Sequence, residues 1–203
     1  MAVVSNGTTI IDAGALGVGG GSLVKIKTLT ASDSSTLTFH NGASDVVFDN
    51  TYDEYIFVCN NIHCETDTQW LYFQFNAVGA SGFNETITST TFSVANDESG
   101  NTTFQYEAGN DQAQGNAFQR FGWEQGNGAD ESSTAVLHIY APSDTTFIKH
   151  FIAQNMVHHP NNHAFRGFLA GFINTTAAID EIQFKMTSGV MQTGTITLYG
   201  VKG

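Results

Sequence analysis

The feature that most constrains this chain is a series of short runs in which apolar and polar residues alternate, bounded by Gly, Asn, Asp and Ser. The carboxyl-terminal run shows it best. Ile182, Phe184 and Met186 lie two apart, with Gln183, Lys185 and Thr187 between them; Ile196 and Leu198 alternate with Thr195, Thr197 and Tyr199. Successive side chains of a strand point to opposite faces, so each run presents one apolar row and one polar row. Ser188-Gly189 and Gln192-Thr193-Gly194 supply turn residues between them. The expectation is a β-hairpin laid on a core by one face, whose last strand closes the fold.

Comparable runs recur upstream, at residues 23–29, 36–40, 54–59, 69–75, 117–123, 134–140, 147–157 and 164–174. Residues 54–59 are almost wholly apolar, which predicts a central strand covered on both faces. Ala141-Pro142-Ser143-Asp144 predicts a turn that joins 134–140 to 147–157 as a hairpin: Pro presets φ and Asp caps. Residues 76–115 are dominated by Asn, Gly, Ser, Thr, Asp and Gln, and read as a long excursion with one or two short strands. Long loops in compact domains are usually functional or mobile, so any recognition is expected there. No amphipathic helical period appears. About ten strands with Gly and Asn turns predict an all-β, antiparallel β-sandwich.

The 203 residues suit one such domain with an extended N-terminal arm. Residues 1–21 form the arm and its Gly19-Gly20-Gly21 linker, and residues 22–203 the sandwich. Residues 1–21 read either as a floppy tail or as an arm that anchors on a partner, since Ile10, Ile11, Leu16 and Val18 would be wasted on a disordered tail. Charged residues are only 13%, so the surface must be largely Thr, Ser, Asn, Gln and Gly, as suits extracellular and virion proteins. The net charge of −12, with no basic stripe, disfavours nucleic acid and anionic membrane surfaces as partners. No signal peptide is visible, and no apolar run approaches the ~20 residues that span a bilayer. Synthesis in a cytoplasm is expected.

The closing segment resembles that of a jelly-roll-like family of bacteriophage virion proteins. The residues that carry the likeness are Ala178, Ile179, Asp180, Ile182, Phe184, Ser188 and Gly189, then Gly194, Thr195, Ile196, Leu198, Tyr199 and Gly200. Tyr52-Asp53-Glu54-Tyr55, Asn60-Asn61-Ile62 and the opening Ser5-Asn6-Gly7-Thr8-Thr9-Ile10-Ile11-Asp12 are similar to the same family. The resemblance implies a sandwich of jelly-roll type. It implies a non-enzymatic structural protein of a tailed phage virion: a capsid decoration or cement protein, or a short head or tail fibre, attached through its N-terminal arm. It further implies a homotrimer and partners among other capsid or tail proteins. The alternative within the same fold is a receptor-binding tail fibre tip that recognises a host surface glycan.

Several clusters invite a chemical reading, and each has a plainer one. His158, His159 and His163, with His150 one strand earlier, are metal-ligand types. Adjacent His158 and His159 point to opposite sides of a strand, so exposed histidines at a polar hairpin tip are the better account, with an ion held there only if copies gather around an axis. Cys59, His63 and Cys64 lack the second cysteine pair of a zinc motif; buried or half-buried free thiols are expected, with Cys59 and His63 on one face of a straight strand and Cys64 on the other. Asp53-Glu54, Asp130-Glu131 and Asp180-Glu181 are neighbours in sequence and face apart, so none is an acid–base pair by itself; for Asp180-Glu181 the resemblance implies a cap before a strand. No nucleophile elbow or phosphate loop is present. Trp70, Tyr72 and Trp123 are candidates for a sugar-stacking platform, against core or interface packing as the stronger reading. No catalytic residue, metal or cofactor is expected.

Overall fold

The computed structural model describes residues 23–202 and, ahead of them, the backbone of three short strands. These are β1 (Val3–Ser5), β2 (Thr8–Asp12) and β3 (Ala15–Leu16), which pair antiparallel with one another. The anchoring expected of Ile10, Ile11, Leu16 and Val18 concerns side chains outside the described residues.

Among the described residues every element is a strand and every pairing is antiparallel, as the alternating runs predict. In chain order the body comprises β4 (Leu23–Thr30), β5 (Leu37–His40), β6 (Glu54–Cys64), β7 (Leu71–Ala77), β8 (Ile87–Asp97), β9 (Thr102–Tyr106), β10 (Ala113–Gly115), β11 (Gln119–Arg120), β12 (Ser133–Tyr140), β13 (Lys149–His159), β14 (His163–Ile173), β15 (Ile179–Met186) and β16 (Met191–Val201). A nine-stranded sheet runs β10-β8-β14-β13-β12-β6-β16-β4, with β9 also paired to β8. A four-stranded sheet runs β11-β7-β15-β5. The apolar rows of the two sheets meet in one core. Phe57 of the large sheet lies 5.5 Å from Phe184 of the small one, and Phe151 lies 5.6 Å from Phe73, centroid to centroid. Such tilted and edge-on aromatic pairs add to the burial of their area.

The closing segment departs from its expected form. β15 belongs to the small sheet, between β7 and β5, and β16 to the large one, between β6 and β4. The two runs are therefore not a hairpin. Residues 187–190 carry the chain across the core, and the apolar rows oppose each other instead of lying side by side: Ile182, Phe184 and Met186 face Ile196 and Leu198 through the interior, all nearly or wholly buried. Alternation fixes which side of a strand is apolar but not which sheet it joins. The predicted hairpin of β12 and β13 does form, with Ile139 opposite Phe151, and Asp144 Oδ1 accepts the N–H groups of Thr146 (2.6 Å) and Phe147 (2.7 Å) in the turn.

Two further expectations are corrected. β6 is central by pairing, yet its Ile56 and Val58 are only half-buried on the outer side, so one face alone is covered. Residues 76–115 are not mainly loop: they hold the eleven-residue β8 with β9 and β10 beside it. β8 is inverted in polarity. Thr91 and Ser93 point inward and are buried, while Phe92 points outward.

Candidate functional site

The inverted polarity of β8 is explained by what covers it. Loop and edge residues between 107 and 119 lie over its inner side and supply polar partners. Ser93 Oγ bonds the carboxylate of buried Glu107, and the Glu107 N–H donates to Thr91 O at 2.9 Å. Ser89 Oγ donates to Gln119 Oε1 (2.8 Å), and Gln119 Nε2 donates to Asn110 O (2.8 Å). Buried polar groups must find such partners, so Ser and Thr on this strand match Asn, Gln and Glu on the segment above.

The three aromatic candidates do not form one platform. Trp70 and Tyr72 lie on the outer side of β7, whose inner side holds Leu71, Phe73 and Phe75. Arg120, opposite Tyr72 on β11, lays its guanidinium 4.6 Å from the Trp70 ring centre and donates Nε to Tyr72 OH at 3.4 Å. Its NH1 donates to Asn110 Oδ1 at 2.8 Å. Trp123 instead stacks on Phe165 of β14, with centroids 5.0 Å apart and planes 13° from parallel. One face of Trp70 and one of Trp123 are thus occupied by the protein's own side chains.

The histidine tip is a tight hairpin, with His159 opposite His163 and Asn162 at φ +57°. Its histidines are less exposed than expected. His159 is buried, His158 and His163 are half-buried, and the rings of His159 and His163 stack at 5.5 Å. The Asn161 N–H donates to His159 Nδ1 (3.1 Å), which leaves Nε2 to carry the proton toward Glu124 Oε1 at 3.4 Å. Phe165 packs against both rings, so the tip is a small core of its own. Among the described residues no group of three or more His, Cys, Asp or Glu side chains is placed to hold a metal.

Cys59 and Cys64 are free thiols and both are buried, as expected, but His63 is not beside Cys59. The pairing of β6 shifts at Asn60–Asn61, where Asn61 takes φ +50°. This bulge changes the parity of the strand, so Cys59, Ile62 and Cys64 all face the core and His63 turns outward, its Nδ1 donating to Glu131 O, 2.7 Å away. Burial raises the pKa of both thiols above the ordinary value, that of Cys59 strongly.

The carboxylates are dispersed. Glu181 meets His40 Nδ1 at 2.7 Å and Asn76 Nδ2 at 2.8 Å, and Glu54 meets His138 Nδ1. Asp180 caps through its backbone, its carbonyl accepting the Asn41 N–H at 2.7 Å, while its Oδ1 is buried without a partner.

The outer side of the large sheet is what the sequence reading missed. Successive pairings line up Tyr106, Phe92, Phe168, Gln154, Val136 and Val58 across six strands. Phe92 stacks on Phe168 at 4.7 Å, and Arg166 covers the Phe168 ring at 4.7 Å. Ile152, Met156, Phe104 and Tyr140 lie exposed on the same side. The signal was available in the apolar residues at the outward positions of 147–157 and 164–174, but a second apolar row on a strand is as readily read as a buried layer. No family model matches the chain, and no curated protein matches it.

Proposed function

We propose that this chain is a non-enzymatic structural protein of a tailed-phage particle, a decoration protein or short fibre of jelly-roll type that attaches through its N-terminal arm. The observation that carries the reading is the set of residues similar to the virion family: they fall on β15, on β16 and on Ser188-Gly189 between them, on residues 52–55 and 60–62 at the start and the bulge of β6, and on the arm. The likeness is thus spread over the joints of the body. The uncovered apolar side of the large sheet favours work done by contact. The test is deletion of residues 2–18. The shortened chain, which lacks β1 to β3, is expected to keep the cooperative unfolding of the body and to fail to join particles that the full chain decorates. Full decoration by the shortened chain would refute attachment by the arm.

The alternative, a fibre tip that binds a host glycan, draws on Trp70 and Tyr72 at the outer side of β7. Arg120 already occupies one face of the Trp70 ring, and a glycan array with the purified chain tests the reading directly.

A further inference from the structure

Among the described residues the large sheet has one side in the core and the other uncovered, and the uncovered side is unusual in two ways. It is apolar where a solvated sheet face should alternate to polar. Ile152 is 45% exposed, Met156 43%, Phe92 40% and Tyr140 37%. It is also nearly free of negative charge. The chain carries 19 acidic residues, yet β6, β8, β12, β13, β14 and β16 together contain only Glu54 and Asp97, each at a strand end. Two copies of a molecule with net charge −12 repel over most of their surface, and this face is where the repulsion is least.

We propose that this face is a homotypic docking surface, on which a second copy of the chain packs sheet to sheet. Its size fits. Seven strands from β9 to β16 at roughly 4.8 Å spacing, each of roughly 3.3 Å per residue, give a face of about 30 Å by 30 Å. That matches the about 800 Å² per partner of a standard stable interface. Its charges fit as well. Arg166 on β14 and Glu54 on β6 stand on either side of the middle of the face, six residue rows and three strands apart. A two-fold axis lying in the face, across the diagonal between them, sets each copy's Arg166 against the other's Glu54. That axis runs through the middle of the face beside Ile152 and Val136, where a hot spot belongs. The inference concerns the body alone and does not depend on the arm or on a particle.

The test is the oligomeric state of the full chain. Sedimentation equilibrium is expected to show association of the wild type, and Ile152→Glu to weaken it by about thirtyfold or more. Val78→Glu makes the same change at a residue 57% exposed but off this face, and is expected to leave association unchanged. A second readout needs no substitution. Peroxide oxidation of Met156 should be slow in concentrated wild-type protein and quicken on dilution. A monomeric wild type, a trimer or other oligomer that survives Ile152→Glu, or Met156 oxidation independent of concentration would each overturn the proposal.

Discussion

The Tyr52 ring fills the space in which a side chain at Gly200 would begin: a Cβ there would lie 2.4 Å from two ring atoms. Gly200 sits in β16 between Val24 and Tyr55, and the Tyr52 ring meets Tyr55 edge-on at 5.6 Å. The ring thus clamps the last strand to the start of β6. Gly200→Ala is expected to cost about 1–3 kcal/mol, since an added methyl must displace the ring or the strand. Tyr52→Ala removes the obstacle, so the double variant should lose less than the sum of the single losses. Urea unfolding of the three variants measures this, and strictly additive losses would mean the two residues do not share the space.

Asn61 and Gly194 form a second close pair, across β6 and β16. Asn61 has φ +50° and Gly194 φ +116°, and a Cβ at 194 would lie 2.6 Å from Asn61 O. Gly194→Ala combines backbone strain with a clash against main chain that cannot swing away, and is expected to cost about 2 kcal/mol or more. Asn61→Gly keeps the left-handed backbone and should change stability by no more than about 0.5 kcal/mol. Equal losses at both positions in thermal unfolding would contradict the assignment of the strain to residue 194.

Those two relationships mark where the sequence stopped being informative. Outside residues 76–115 alternation identified strands of both sheets and their buried rows, because Phe57, Phe73 and Phe184 sit where a period of two puts them. It could not assign β15 and β16 to opposite sheets, since that depends on pairings distant in the chain. It misplaced His63, because one left-handed residue at Asn61 reverses parity beyond it. It passed over β8, whose inward Thr91 and Ser93 are satisfied by Glu107 and its neighbours from another part of the chain. Trp70 and Trp123 could be recognised as aromatic, but Arg120 and Phe165 as their neighbours could not.

Lys149 is only 1% exposed, and its ammonium donates to the carbonyl oxygens of Phe147 (3.0 Å), Thr176 (3.0 Å) and Thr175 (3.5 Å). It ties the start of β13 to the loop before β15. Burial lowers its proton affinity, while the charge of Asp144 opposes that shift. Lys149→Met preserves length and leaves the carbonyls without a donor, and is expected to cost about 1–3 kcal/mol. The urea midpoint should fall with little change in slope. A midpoint at or above that of the wild type would mean the carbonyls are satisfied by water.

Asp180 supplies a pH dependence of known sign. Burial raises its proton affinity above the ordinary carboxylate value of 3.8, the neighbouring charge of Glu181 adds to this, and His40 opposes it. The folded state therefore holds this proton more tightly than the unfolded chain. Stability from this group is greatest below 3.8 and is lost as pH rises through the raised folded value, after which the ionised carboxylate carries its full penalty. Asp180→Asn removes the charge that is poorly accommodated. The variant is expected to exceed the wild type at pH 7, by under about 1 kcal/mol because the residue is half-exposed. Below pH 3.8 that advantage should disappear, since both side chains are then neutral. Urea titrations of the pair at the two pH values decide it, and a wild type more stable than the variant at neutral pH would show that the carboxylate is bound by a partner in solution.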